Sequence, residues 1–168
     1  MKIAFLLADG FEDSEFKVPY EKLKGAGHEV AIVGATKGKI LTGKKGKEHV
    51  TADKSIDRIS ADQFDAAVIP GGYSPDKLRL NDKMVDFVRQ MNNAKKLIAA
   101  ICHGPKLLIS AGIVQGRQIT SWSSVAVDLK NAGAKWVDKP VVVDENIITS
   151  RQPSDLEQFS QAIIDKLG

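Results

Sequence analysis

Cys102 is the only cysteine in the 168-residue chain, and its neighbours single it out. Leu97 to Ile101 is a short apolar run of the kind found in a fully buried strand, and Gly104-Pro105 breaks it. Proline is favoured in the first turn of a helix. Lys106 to Ala111 then reads as an apolar helix closed by Gly112. The cysteine thus falls on a strand-to-helix corner. Unpaired N–H groups there favour a thiolate and leave donors for an oxyanion, the logic of a nucleophile elbow. A buried structural cysteine is the bland alternative, and the Gly-Pro corner favours the reactive reading.

Two further loops, and the residue after the cysteine, carry groups that could serve such a thiol. Glu12 follows the first predicted strand. A carboxyl partly buried beside sulfur is raised in pKa, and can donate a hydrogen bond to it or shuttle a proton. Its other reading is an acid serving a helix N-terminus, which Asp13 or Glu15 could do as well. His103 follows the cysteine. It can act through its backbone N–H, through a ring aimed by an acid such as Asp76, or simply fill space at a subunit contact. Gly71 and Gly72 end another buried run, where adjacent glycines allow close backbone approach to a ligand; a plain tight turn is the alternative.

The elements that must position these groups alternate. Strands are predicted at Ile3 to Leu7, Glu29 to Gly34, Phe64 to Ile69, Leu97 to Ile101, Gln118 to Thr120, Trp136 to Asp144 and Asn146 to Thr149. Helices are predicted from Phe11 (with a break or restart at Pro19), over Asn81 to Met91, after Pro105, over Val125 to Asn131, and over Pro153 to Leu167. Residues 35–53 read as a Lys-rich surface hairpin carrying Lys37, Lys39, Lys44, Lys45 and Lys47. Without interleaved aromatic residues it reads as a solvated loop rather than a nucleic-acid patch. The alternation implies a doubly wound, mainly parallel α/β sheet with helices on both faces. Ligands of such sheets bind beyond the carboxyl ends of the strands. Asp9 to Glu12, Gly71 to Asp76, Cys102-His103, Ser121-Trp122 and Ser150-Arg151 all fall there.

The totals set bounds. One domain over residues 1–168 is expected, with 43% hydrophobic and 27% charged residues typical of a soluble globular protein. A net charge of +3 does not call for a nucleic-acid partner. A single cysteine excludes an intrachain disulfide and CxxC redox chemistry. Met1 to Leu7 is too short for a signal-peptide core, and no stretch is long enough to span a membrane. A cytoplasmic location is the expectation. His28 and His49 have no metal-spaced partner, and no metal is expected. No P-loop or dinucleotide fingerprint is present.

FEDSEF, IPGGYSPDKLR, AAICHGPKLLISAG, NAGA and VVVDENIITSRQPSDL together resemble the PfpI branch of the ThiJ/PfpI superfamily, over essentially the whole chain. The resemblance implies a flavodoxin-like sandwich, no cofactor, and a homo-oligomer (homodimer or hexamer). It implies a strained cysteine, here Cys102, hydrogen-bonded to the first-loop acid, here Glu12. It also implies a histidine, here His103, paired with an acid of a neighbouring subunit at the position of Asp76. That acid is Glu in PfpI, one methylene longer. Trp122 stands where some relatives have tyrosine, so a phenol hydroxyl cannot act here; it is retained as a substrate-binding candidate with Gly71 and Gly72.

The activities implied by the resemblance are a cofactor-free glyoxalase, a deglycase of early glycation adducts, and an intracellular cysteine peptidase. All use a cysteine against a carbonyl or a related adduct. The first expectation is a stress-associated enzyme acting on glyoxals or glycated protein and peptide, with Cys102 as nucleophile, Glu12 as acid/base, and Gly72 and His103 as oxyanion donors. The alternatives are a peptidase or amidase using Cys102, His103 and Asp76 across an interface, and a redox sensor or chaperone-like protein in which Cys102 is oxidised.

Overall fold

The computed structural model describes residues 1–168. The chain runs β1 (Lys2–Leu6), α1 (Asp13–Gly25), β2 (Glu29–Gly34), a hairpin of β3 (Ile40–Thr42) and β4 (His49–Thr51), β5 (Lys54–Ser55), β6 (Ala66–Ile69), α2 (Ser74–Leu78) and α3 (Asp82–Asn93). It continues with β7 (Leu97–Ile101), α4 (Pro105–Ser110), β8 (Gln118–Ile119), α5 (Ala126–Asn131), β9 (Lys135–Trp136), β10 (Val141–Asp144), β11 (Ile147–Ser150) and α6 (Leu156–Leu167).

Seven strands form the main sheet in the order β10-β11-β7-β6-β1-β2-β5. All neighbours pair in parallel except β10, which returns antiparallel to β11 at the edge. The central strands β1, β6 and β7 are apolar on both faces because helices cover both faces. Phe16 and Leu23 of α1 and Phe159 and Ile163 of α6 pack on one side. Met84, Phe87, Val88 and Met91 of α3, Leu107 and Leu108 of α4, and Leu129 of α5 pack on the other. No helix is long and apolar enough to cross a membrane.

Local chemistry sets the boundaries. Asn81 caps α3, its Oδ1 accepting the N–H groups of Lys83 at 3.0 Å and Met84 at 3.3 Å. The β10–β11 turn passes through Glu145 at φ 53°, as Asp144-Glu145-Asn146 predicts. Two expectations fail. α1 does not break at Pro19: the proline lies on the buried stripe with Phe16 and Leu23, and packing against the sheet outweighs its missing hydrogen bond. Residues 136–144 are not one strand. Pro140, without an N–H for a ladder, separates β10 from β9, and β9 instead pairs in parallel with β8 in a small separate sheet.

Candidate active site

The carboxyl ends of the strands are laced together by backbone hydrogen bonds between loops distant in sequence. Glu12 N–H donates to Gly71 O at 3.1 Å, and Tyr73 N–H to Gly10 O at 2.8 Å. Cys102 N–H donates to Ser150 O, and Trp122 N–H to Cys102 O, each at 3.0 Å. All five loops expected at one rim thus meet Cys102 or each other directly.

Cys102 is the corner itself. Its φ is 63°, a left-handed conformation that costs a residue with a Cβ roughly 1–2 kcal/mol. The register of β7 between β6 and β11 and the immediate start of α4 hold it there. The thiol is 8% exposed. The backbone N–H groups of His103 and Gly72 are directed at the sulfur and favour its thiolate. Gly72 has φ 76°, and a Cβ on it would lie 2.5 Å from both Glu12 N and Gly10 O; only glycine brings that amide so close.

The acid at the sulfur is Glu15, not Glu12. Glu15 is fully buried, and its Oε1 accepts the Gly71 N–H at 2.9 Å. Its carboxyl interacts with Cys102, and its Oε2 is buried without any hydrogen-bond partner. Burial, reinforced by the charge of Glu12, raises the Glu15 carboxyl to about 8. It is therefore protonated at neutral pH.

Glu12 faces the other way. Its two oxygens take Lys45 Nζ at 2.9 Å and Lys44 Nζ at 3.3 Å. The reason is helix phase. α1 begins at Asp13, so Glu15 falls on the stripe of Phe16, Pro19 and Leu23 while Glu12 stays in the loop beneath the lysines. An acid on an apolar helical stripe was the signal available in the sequence, and the FEDSEF segment contains it.

The thiol also departs from expectation. Burial, and then the Glu15 carboxylate, push Cys102 up to about 12 against the pull of the His103 and Gly72 amides. A six-residue helix after the corner does not overcome desolvation. At neutral pH the Glu15 proton removes the opposing charge, so sulfur can develop negative charge among three donors: two amides and a carboxylic acid.

The remaining predicted residues divide. His103 is half-buried, and its ring lies 6.5 Å from the Trp122 ring at 26° between planes. Desolvation, and then Lys106, lower its pKa, so the imidazole is neutral. Asp76, on the short α2, is exposed and pairs with Lys106 at 3.2 Å; within one chain it makes no hydrogen bond to His103 and acts on it only through its charge. The Gly71 amide is committed to Glu15, which leaves the Gly72 and His103 amides as the free pair. Trp122 is 38% exposed and forms one wall beside His103. The lysine hairpin is not wholly solvated, since Lys44 and Lys45 reach Glu12.

The description of the DJ-1/PfpI family matches residues 1–166. Protein/nucleic acid deglycase 2 of Escherichia coli is 48% identical over 99% of this chain and 98% of its own length. Deglycase PfpI of Pyrococcus furiosus is 46% identical over 99% of both chains. Among solved structures, a two-domain protein of Anabaena variabilis with DJ-1/ThiJ/PfpI-like and ferritin-like domains superposes with a TM-score of 0.99 at 43% identity; the match covers all of this chain and 50% of that one. Matched along nearly its whole length by the family description and by these relatives, the chain belongs to the DJ-1/PfpI family.

Proposed function

We propose that the chain is a cysteine-dependent enzyme of carbonyl stress, acting on 2-oxoaldehydes such as methylglyoxal and on their early adducts with thiols and amines. The observation that carries this reading is the pairing of a strained cysteine with a buried, protonated glutamic acid. Glu15 Oε1 is held by Gly71 and Oε2 is unpartnered, so one oxygen fixes the carboxyl and the other is left for proton transfer. The two deglycases reported above support the same reading.

In the proposed reaction Cys102 sulfur bonds to the aldehyde carbon. Glu15 passes its proton to the carbonyl oxygen and takes up the thiol proton. Glu15 then relays the C1 proton to C2 while the C1 hydroxyl proton passes to the C2 oxygen, leaving a thioester, and water then releases lactate and regenerates the thiol. Methylglyoxal plus water gives lactic acid, with no external oxidant or reductant. For an adduct, the thiol or amine that carried the carbonyl is the other product. The Gly72 and His103 amides hold the developing oxyanion, and neutral His103 with Trp122 bounds the substrate.

The test is lactate formation from methylglyoxal by wild type and by Cys102→Ala. Activity in wild type that falls at least a hundredfold in the variant is the expected result. Activity that survives the substitution overturns the mechanism.

Homo-oligomerisation and a cytoplasmic location accompany this reading, as does its rival, a peptidase completed by a neighbouring subunit. The Asp76–Lys106 pair counts against the rival, because Asp76 must leave Lys106 to orient His103 of another copy. Turnover of a fluorogenic peptide panel that is lost in Asp76→Ala, with no lactate formed from methylglyoxal, would favour it.

A further inference from the structure

The segment that carries Lys44 and Lys45 is built onto the active site. Asp13, buried at the first turn of α1, accepts three backbone N–H groups from it: Lys45 at 2.8 Å on Oδ1, and Lys47 at 2.9 Å and Glu48 at 2.8 Å on Oδ2. These bonds hold the Asp13 carboxyl below its usual range against the opposing effect of burial, which is the largest influence on it. Lys44 N–H donates to Phe11 O at 2.8 Å, and Gly10 N–H to Thr42 O at 2.9 Å. Gly43 lies so close to the Asp13 carboxylate that a Cβ there has no room. A merely solvated lysine loop needs none of this.

The mount aims two ammonium groups at one carboxylate. Lys44 and Lys45 share Glu12, so the cluster holds one cation more than the carboxylate they share, while the charge of Asp13 is met by backbone donors. Each ammonium has three donors, and contact with Glu12 leaves others free on side chains that remain partly exposed. Lys44 Nζ also stands 5.3 Å from the centre of the exposed Tyr73 ring, one residue from Gly72. The fork already accommodates the two oxygens of a carboxylate.

We propose that Lys44, with Lys45 beside it, is an anion-recognising arm of the Cys102 site, that Asp13 is its positioning residue, and that the preferred substrates are carbonyl adducts bearing a carboxylate near the reacting carbon. The field of Lys44 reaches both Glu15 and His103, which places its charge within range of the reacting atoms. For the identity of the carbonyl portion the proposal rests on the reading above; the anion preference does not.

Cys102 is the only thiol, so its alkylation is read directly by intact mass. Iodoacetate and iodoacetamide deliver the same carbon to sulfur with loss of iodide and differ by one negative charge. The wild-type iodoacetate-to-iodoacetamide rate ratio should exceed that of Lys44→Met about fivefold at low salt, the scale of one partly exposed ion pair. It should be retained in Lys44→Arg, fall part of the way in Asp13→Asn, and shrink in 1 M salt. A folding defect would uncover the buried thiol and speed both reagents, whereas loss of the anion site slows iodoacetate and leaves iodoacetamide unchanged.

The same variants are then compared on methylglyoxal hemithioacetals of N-acetylcysteine and of its uncharged amide, reading lactate. A wild-type kcat/KM preference for the carboxylate that disappears in Lys44→Met supports the proposal. Alkylation ratios equal in wild type and Lys44→Met overturn it, whatever the turnover. A lysine-dependent ratio with no lactate from either adduct leaves the anion site standing and removes the deglycase reading instead.

Discussion

Glu12 and Glu15 stand three residues apart at the start of one helix, yet the structure gives them opposite surroundings. Glu12 sits at the rim, its carboxylate bound by two lysines of the hairpin loop. Glu15 sits on the floor, with one amide donor, no cation in contact, and a sulfur beside it. At the rim a carboxylate is matched with positive charge, an arrangement suited to charge recognition. On the floor, burial without a cation keeps an acid protonated, which suits proton transfer. Environment, rather than residue type, separates the two roles.

The sharpest way to break this comparison is to neutralise each acid in turn. Glu15→Gln retains size and a donor but cannot exchange a proton. It should lower kcat for lactate formation at least a hundredfold, within the range expected of a positioned acid/base. Glu12→Gln leaves Lys44 and Lys45 with an uncharged partner. It should change kcat by less than about tenfold and act mainly on KM. Steady-state kinetics of both variants decide the matter; equal losses in kcat would mean that rim and floor are not distinct.

Stability against pH gives a second, smaller contrast. The Glu15 carboxyl is raised from 4.5 to about 8 in the folded chain. Between those values the folded chain keeps a proton that the unfolded chain has released, so stability falls as pH rises through the window. The contribution is fully present below the unfolded value and is lost as pH passes the folded one. Urea unfolding at pH 5.5 and 7.5 should show wild type losing roughly 2 kcal/mol more than Glu15→Gln over that interval, since one proton is worth about 1.4 kcal/mol per pH unit. Parallel pH profiles for the two proteins would show that Glu15 is not protonated in the folded state.

The same contrast explains what the sequence could and could not reveal. Strand β7 and the Cys102 corner were legible because local signals agree there: an apolar run, Gly-Pro, and an amphipathic helix. The hairpin at Ile40–Thr42 and His49–Thr51 was legible by its alternation. Which acid meets the sulfur was not, because it depends on where α1 starts: with the first turn at Asp13 rather than Phe11, Glu12 stays in the loop and Glu15 joins the buried stripe. The anchoring of the lysine loop was hidden for a different reason. Its bonds run from backbone N–H groups 32 to 35 residues away to Asp13, and backbone donors carry no side-chain signature. The Asp76–Lys106 pair was missed because Lys106 read only as part of an apolar helix, with nothing local to tie it to a loop 30 residues earlier.

That pair supplies the smallest expected effect, and it tests how far the rim extends. Lys106 holds Asp76 at 3.2 Å and also bears on His103, whose pKa is lowered first by desolvation and next by this lysine, with Asp76 opposing. Lys106→Met removes the lysine charge and frees Asp76, and both changes favour imidazolium. The His103 titration, followed by NMR of the ring protons, should move upward. The partly exposed pair contributes little to stability, so Tm should stay within about 2 °C, and lactate formation at pH 7 within about threefold. If the released Asp76 completes His103 of a second copy, the upward shift should diminish on dilution to the monomer. A shift independent of protein concentration would assign the whole effect to the loss of Lys106 within one chain and confine the rim's electrostatics to the lysines.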